Sequence, residues 1–316
     1  MTADSELIII GGGPAGLTAA QYGARANLGV LVIEQLAPGG QALNIDKLEN
    51  YPGIAPDKSG FDFGEDLRRQ AENFGARFLN DSVMSLEKAE NLYSVTLGNG
   101  KKLLAPSVII ASGTRRRTLD IPGEKEFYGR GVSYCATCDG PFFKGKKIFV
   151  VGGGDAACDE AQYLSRLSTN IVLIHRRDRF RSQKALAERV LKNANIEVRF
   201  NTRVLEIKGE KLVTGALLES GAQGEAQKNY EEDAAAVFIF VGTVPQTLFA
   251  SGLGLKTDEN GYIITDQTMR TGAPGLFAAG DVRATPFRQV VVAAAEGAIA
   301  AHAAASYIDE RKGEFY

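Results

Sequence analysis

The chain has 316 residues, a formal net charge of −2, 44% hydrophobic residues and 23% charged residues. These values are typical of a soluble globular protein of about two domains, and they exclude a disordered chain. The near-neutral charge produces no general attraction to nucleic acid or to a membrane surface, so we expect neither as a partner. The longest uninterrupted apolar run, Ala234–Val241, is too short to span a bilayer. The N-terminus lacks a signal-peptide pattern, and we expect a cytoplasmic protein.

The chain contains the same unit twice. Residues 6–35 and 147–176 align with each other, glycine triplet on glycine triplet (Gly11–Gly13 and Gly152–Gly154). Each copy has a β-branched apolar run before the glycines, a helical stretch after them and a second apolar run at its end. This order predicts a βαβ unit of about 30 residues, the size of half a dinucleotide-binding fold.

The glycines of each copy fit a loop that holds a pyrophosphate. The first glycine allows a tight turn off the strand, and the third lets backbone N–H groups approach phosphate without an intervening Cβ. The alternative is a pair of structural turns, which the strand-before and helix-after context makes less favourable. We predict that the two loops bind cofactor through Gly11, Gly13, Pro14, Ala15 and Gly16 in the first copy, and Gly152, Gly154, Asp155, Ala156 and Ala157 in the second.

The residues after the second strand of each copy predict different nucleotides. Glu34 ends the first unit, and a carboxylate there accepts hydrogen bonds from a ribose 2′-OH and repels a 2′-phosphate, which suits FAD or NAD. The second unit ends in HRRDRFR (175–181), whose guanidinium groups suit the 2′-phosphate of NADP. The alternative for this segment is a solvated basic turn. Two sites of opposite preference indicate a hydride relay from NADPH to a flavin.

The cysteines predict a redox disulfide. Cys135 and Cys138 form a C-x-x-C pair followed directly by Asp139, which can donate or accept a proton. Zinc is the alternative, but a structural zinc site needs four ligands, and only Cys158 and the two histidines, His175 and His302, remain to complete it. Cys158 falls inside the helix after the second glycine loop, where we expect a small buried side chain.

With these motifs in view, the sequence resembles the low-molecular-weight, bacterial-type thioredoxin reductases of the pyridine nucleotide-disulfide oxidoreductase family. The resemblance covers about residues 6–308. It rests on GGGPAG (11–16), PGGQ (38–41), GRGVSYCATCDG (129–140), GGGDAA (152–157), HRRDRFR (175–181), PGLFAAGDV (274–282) and FRQVVVAAAEG (287–297).

The resemblance implies a role for each matching residue. Cys138 is the thiol next to the flavin, Cys135 is the interchange thiol that attacks thioredoxin, and Asp139 is the acid/base. Further FAD-binding residues are implied at Gly40, Gln41, Asn50, Gly113, Gly280, Asp281, Arg288 and Gln289. The 2′-phosphate of NADPH is implied to bind to Arg176, Arg177 and Arg181, supported by His175.

The resemblance also implies the domain plan and the partner. We expect an α/β fold of two Rossmann-like, three-layer ββα domains. The FAD domain comprises 1–114 and 245–316, with the NADPH domain inserted as 115–244. A helix over 290–308 is expected to pack toward the flavin, and a homodimer is expected. Thioredoxin is the expected substrate. Two alternatives stay open: reduction of another thioredoxin-like or peroxiredoxin partner, and a flavin-bound redox sensor without turnover.

Overall fold

The computed structural model describes residues 2–45, 47–48, 50–55, 57–222 and 226–313. Its strands are β1 (Leu7–Ile10), β2 (Val30–Glu34), β3 (Arg77–Asn80), β4 (Val83–Ala89), β5 (Leu92–Leu97), β6 (Lys102–Ala105), β7 (Ser107–Ile110), β8 (Thr114–Arg116), β9 (Val132–Ser133), β10 (Ile148–Gly152), β11 (Ile171–Ile174), β12 (Ile196–Arg199), β13 (Thr202–Gly209), β14 (Val213–Ser220), β15 (Lys228–Asp233), β16 (Ala236–Phe240), β17 (Thr243–Pro245) and β18 (Leu276–Ala278). Its α-helices are α1 (Pro14–Arg25), α2 (Gly60–Asn73), α3 (Ala136–Asp139), α4 (Asp155–Leu164), α5 (Lys184–Lys192) and α6 (Val290–Lys312).

The chain divides into two compact units. Unit 1 comprises Met1–Arg115 and Val244–Tyr316, and unit 2 comprises Arg116–Thr243. The chain passes from one unit to the other along β8 and returns along β17, and these two strands form a two-stranded sheet.

Unit 1 is built on a five-stranded parallel sheet in the order β18-β7-β1-β2-β3. The central strand β1 is flanked in register by β2 and β7, and its four residues are wholly buried. Such a strand has no solvent face, which is why its sequence reads as a continuous apolar run. One face of the sheet packs on α1 and α6, and the other packs on the antiparallel sheet β4-β5-β6.

Helix α6 is part of the core of unit 1. Its length and composition would allow it to cross a membrane, but more than half of its most apolar stretch is buried inside the protein. It approaches α1 so closely that a Cβ on Gly297 would lie 2.1 Å from the carbonyl oxygen of Ala15. Only a glycine permits this approach, and the contact ties α6 to the beginning of α1.

Unit 2 repeats the same plan. Its parallel sheet has the order β12-β11-β10-β16-β9, with α3, α4 and α5 on one face and the antiparallel sheet β13-β14-β15 on the other. The predicted α/β class with two Rossmann-like parallel sheets is thereby confirmed. In each unit a glycine loop lies between the first strand of the βαβ repeat and the helix that follows it.

Candidate active site

The first glycine loop joins β1 to α1 and leaves open space beside it. Gly11 has a φ of +106°, and a Cβ there would lie 2.4 Å from the Ala111 carbonyl oxygen. A Cβ on Gly16 would lie 1.9 Å from the Gly11 carbonyl oxygen, so the turn and the helix start require glycine. By contrast, a Cβ on Gly13 would meet nothing closer than 4.0 Å. As the N-cap of α1, Gly13 has no side chain to bind the first N–H groups of the helix, which suits a pyrophosphate.

Glu34 braces this loop. Its Oε2 accepts a hydrogen bond from the Gly12 N–H at 2.6 Å, and its Oε1 accepts one from the Leu36 N–H at 2.9 Å. A carboxylate has about four acceptor positions, so both oxygens retain capacity for a ribose hydroxyl. The residue is therefore suited to the predicted ribose contact and also shapes the loop.

Further predicted FAD residues in unit 1 bond to each other or to neighbouring strands. The Gln41 side chain donates to both the carbonyl and the hydroxyl oxygen of Thr114, each at 2.8 Å. The Asn50 amide donates to the Gln289 side chain at 2.8 Å, although 239 positions separate them in sequence. The Gly113 carbonyl accepts a bond from the backbone of Gln246. These bonds hold the predicted residues in fixed positions.

The turn at Gly280 and Asp281 is held by a buried ion pair. Glu296 in α6 accepts a hydrogen bond from the Gly280 N–H at 2.8 Å and pairs with Arg283. Both side chains of this pair are largely buried. Burial raises the pKa of Asp281, and the Glu296 charge raises it further, against the opposing effect of Arg288. Asp281, which is expected to bind FAD, therefore belongs to a charged network.

Arg288 is positioned by an aromatic ring. Its guanidinium lies 3.8 Å from the centroid of the Tyr262 ring, and its Nη2 donates to the Arg283 carbonyl oxygen at 3.4 Å. Its Nε is buried and has no hydrogen-bond partner among the described residues. A buried donor without a partner is suited to a polar ligand.

The second glycine loop joins β10 to α4 in unit 2. A Cβ on Gly153 would lie 2.3 Å from the His175 ring, while a Cβ on Gly154 would meet nothing within 4 Å. The Gly153 carbonyl oxygen accepts a hydrogen bond from the Arg181 backbone N–H at 2.7 Å. The loop is thus closed on one side by the basic segment and open on the side of the α4 N-terminus.

His175 lies beneath this loop. The residue is 5% exposed, and its ring stacks with that of Phe180 at a distance of 6.0 Å between the ring centroids. Burial lowers the pKa of His175, and although a hydrogen bond to the Arg179 backbone opposes this, the charges of Arg176, Arg177 and Arg181 lower the pKa further, which favours the neutral ring near pH 7. The residue supports the loop and adds no positive charge to the predicted phosphate site.

The predicted arginines differ in position. Arg176 and Arg177 are exposed and line a cavity of about 830 Å³ in unit 2. Arg203 lines the same cavity, where it pairs with Glu219. Arg181 contributes the backbone bond to the glycine loop. The cavity therefore gathers three guanidinium groups, two of which the sequence motif contains.

The residues after Gly154 fasten the loop to α5. Asp155 accepts hydrogen bonds from the backbone and side-chain nitrogens of Gln183 at 2.7 and 3.0 Å. Ala156 is exposed, whereas Ala157 is fully buried beneath Gly152, where a larger side chain would not fit.

Cys135 and Cys138 form a disulfide at α3 with a Cα–Cα distance of 5.4 Å. Cys138 is exposed and Cys135 is buried. Cys135 caps α3, and its sulfur accepts a hydrogen bond from the Cys138 N–H at 3.2 Å. A donor at this position stabilises negative charge on the Cys135 sulfur when the bond opens. Asp139 completes this short helix, and its Oδ2 lies 2.6 Å from the Ser133 hydroxyl.

Tyr134 anchors the segment that leads into the disulfide. Its hydroxyl donates to Glu124 at 2.6 Å, and Glu124 also accepts the backbone N–H groups of Leu119 and Asp120. Burial and the bond to Glu124 raise the pKa of Tyr134. Glu124 is 1% exposed, so this carboxylate is a buried junction between two loops.

Cys158 lies apart from the disulfide. It is buried in α4, its sulfur lies 3.3 Å from the Ser182 hydroxyl, and burial raises the pKa of its thiol. A thiol of this kind is a poor nucleophile. Across the part of the chain that the structure describes, no cluster of three or more His, Cys, Asp or Glu side chains is arranged to hold a metal ion.

Several further side chains lie beside the predicted residues. Ser133 lies inside the cysteine motif, two residues before Cys135, whereas Glu124 precedes the motif. Tyr262 and Glu296 contact predicted residues of unit 1, and Arg203 lines the cavity of unit 2, through tertiary contacts that the sequence alone does not show.

Comparisons with known proteins identify the family that this chain resembles. The profile of the pyridine nucleotide-disulphide oxidoreductase family matches residues 5–297. A thioredoxin reductase of Treponema pallidum is 53% identical over 98% of this chain and 99% of its own, and one of Listeria monocytogenes is 44% identical over 97% and 95%. The crystal structure of Lactococcus lactis thioredoxin reductase superposes with a TM-score of 0.91 at 39% identity, covering 97% of this chain and 100% of that one. The chain therefore belongs to the pyridine nucleotide-disulphide oxidoreductase family, as a thioredoxin reductase of the bacterial type.

Proposed function

We propose that this protein uses NADPH and bound FAD to reduce its Cys135–Cys138 disulfide, and that the resulting dithiol reduces oxidised thioredoxin. The observation that carries the proposal is the disulfide itself, which lies in the same unit as the second glycine loop and the arginine-lined cavity. We also propose that it acts in the cytoplasm, where thioredoxin keeps protein thiols reduced.

The residues of unit 1 are suited to hold FAD. The open side of Gly13 and the α1 N-terminus receive the pyrophosphate, and Glu34 receives a ribose hydroxyl. The Gly280–Asp281 turn and Arg288 supply further polar contacts. When bound, FAD accepts a hydride from NADPH and passes two electrons to a disulfide.

The residues of unit 2 are suited to NADPH and to the sulfur chemistry. Arg176 and Arg177 bind the 2′-phosphate, and the Gly154 side of the loop receives the pyrophosphate. When two electrons break the Cys135–Cys138 bond, Asp139 supplies a proton to the sulfurs. The Cys135 thiolate then attacks the partner's disulfide, and Cys138 displaces the partner from the mixed disulfide.

Turnover with purified protein tests the proposal. We expect a yellow protein that oxidises NADPH rapidly only when oxidised thioredoxin is present. Binding of FAD without NADPH consumption would instead support a redox sensor. Rapid turnover with a peroxiredoxin or another thioredoxin-like protein, and none with thioredoxin, would assign a different partner.

A further inference from the structure

A buried serine connects the acid/base candidate to the disulfide. Ser133 is 2% exposed and lies on β9, which pairs with β16 at Phe238. Its hydroxyl lies 2.6 Å from Asp139 Oδ2 and accepts the Cys135 N–H at 3.0 Å. The Cys135 carbonyl oxygen is 3.2 Å from the same hydroxyl. One side chain on β9 thus contacts both Asp139 and the Cys135 backbone.

The hydroxyl has a single proton and two acceptors within reach. While Asp139 is ionised, the proton points to its carboxylate, because that bond is the shorter one and is assisted by charge. Once Asp139 holds a proton on Oδ2, Ser133 can accept it and turn its own proton to the Cys135 carbonyl oxygen. Ser133 therefore remains hydrogen-bonded whichever protonation state Asp139 adopts.

We propose that Ser133 is a positioning residue that holds the Asp139 carboxyl in place for proton transfer to the cysteine sulfurs. This inference rests on the proposed function for the role of Asp139. Two electrons break the sulfur–sulfur bond and leave two sulfur anions, and each anion that becomes a thiol takes up one proton. Asp139 delivers a proton to one sulfur and recovers it from solvent, while Ser133 keeps its carboxyl group oriented.

Ser168 provides a matched control in the same unit. It is 4% exposed, its hydroxyl donates to the Lys146 carbonyl oxygen at 2.6 Å, and it accepts the Asn170 N–H at 3.2 Å. Ser168 thus has the same burial and the same pattern of one donated and one accepted bond. Its partners are backbone groups only, so its removal measures the structural cost of losing a buried serine hydroxyl.

Dithiothreitol tests the proposal without NADPH or flavin turnover. Its two thiols become a cyclic disulfide while the Cys135–Cys138 bond opens and both protein sulfurs gain a proton. The rate is followed by quenching with a thiol-alkylating reagent and measuring protein mass. Wild type, Ser133→Ala, Asp139→Asn, the double variant and Ser168→Ala are compared, with NADPH–thioredoxin turnover measured in parallel.

We expect Ser133→Ala to slow disulfide opening about tenfold, the scale of a lost bond to a charged group, and Ser168→Ala to leave it within about twofold. In the Asp139→Asn background, Ser133→Ala should have almost no further effect. Ser133→Thr, which keeps a hydroxyl, should recover most of the rate. Equal slowing by Ser133→Ala in both backgrounds, or no slowing beyond that of Ser168→Ala, would overturn the proposal. If the wild type shows no NADPH–thioredoxin turnover, the proposed function is wrong. The dithiothreitol comparison would still test the role of Ser133.

Discussion

At the scale of single residues, the side chains near the two glycine loops carry opposite charges. Glu34 places a carboxylate beside the first loop, whereas Arg176 and Arg177 face the cavity of unit 2. A carboxylate repels a 2′-phosphate and a guanidinium binds it, which is why we propose that the two loops bind different dinucleotides.

Replacing Arg176 and Arg177 with alanine should raise the KM for NADPH about tenfold or more, because charge-assisted bonds to the 2′-phosphate are lost. The KM for NADH, which lacks this phosphate, should change little. Arg179→Ala is the control, since Arg179 is an exposed arginine of the same segment. Steady-state kinetics with both cofactors measures the effect, and an equal rise for NADH would contradict the assignment.

One carboxyl group, that of Glu160, makes the stability of unit 2 depend on pH. Glu160 in α4 has its pKa raised to about 7, because burial outweighs the attraction of Arg116. The folded protein therefore binds this proton more tightly than the unfolded chain, and the associated stability is lost as pH rises from about 4.5 to 7.

Glu160→Gln should consequently raise the thermal unfolding midpoint at pH 8 and change it little at pH 5. Thermal unfolding at the two pH values measures this difference. Glu210→Gln, which replaces an exposed carboxyl of the same unit, should show no such dependence on pH. A Glu160→Gln effect of the same size at both pH values would show that Glu160 does not titrate in this range.

At the scale of elements, close packing of α6 on α1 supports the first glycine loop. A Cβ on Gly297 would collide with Ala15, which lies two residues after Gly13, the loop residue that faces open space. The same region includes Gly280, whose added Cβ would lie 2.9 Å from the Ala15 side chain. Two segments of unit 1 therefore pack against one small residue of α1.

Gly297→Ala should force α6 away from α1, lower the FAD content and destabilise unit 1 by about 1–3 kcal/mol, the usual cost of overpacking. Gly252→Ala is the control, because a Cβ there would meet nothing within 4 Å. Flavin absorbance per protein and thermal unfolding measure the two effects. Normal FAD content and stability in Gly297→Ala would contradict the packing argument.

The features of the fold that the sequence predicts are those formed by residues close together in the chain. The glycine loops and their flanking strands follow from patterns within 30 residues, and both parallel sheets were expected from the repeat. The bond between Glu296 and Gly280 could not be predicted, because nothing in the alanine-rich α6 sequence shows that one glutamate turns into the core. Likewise, the ring contacts of His175 with Phe180 and Phe200 are visible only in the folded structure.

At the scale of the whole molecule, the disulfide and the arginine-lined cavity belong to one unit, and the loop braced by Glu34 belongs to the other. In the proposed function, electrons therefore pass from a nucleotide to a flavin and on to sulfur within a single chain. The expected homodimer stays a prediction, which the mass in solution by light scattering would test.

Cys138→Ser should separate the two halves of this route. NADPH should still bleach the flavin absorbance of the variant, whereas reduction of thioredoxin should be abolished, since no disulfide can form. Cys158→Ser is the control and should keep turnover, because this thiol is buried and lies outside the Cys135–Cys138 disulfide. Thioredoxin reduction by Cys138→Ser would remove the disulfide from the pathway.

The most direct test follows one equivalent of NADPH through the purified protein without oxygen. After mixing, the thiols are alkylated and the protein is digested to locate the label. We predict new label on Cys135 and Cys138 and its loss when oxidised thioredoxin is added before alkylation. If NADPH is consumed while both cysteines stay unlabelled, the electrons do not reach the disulfide, and the central claim is wrong.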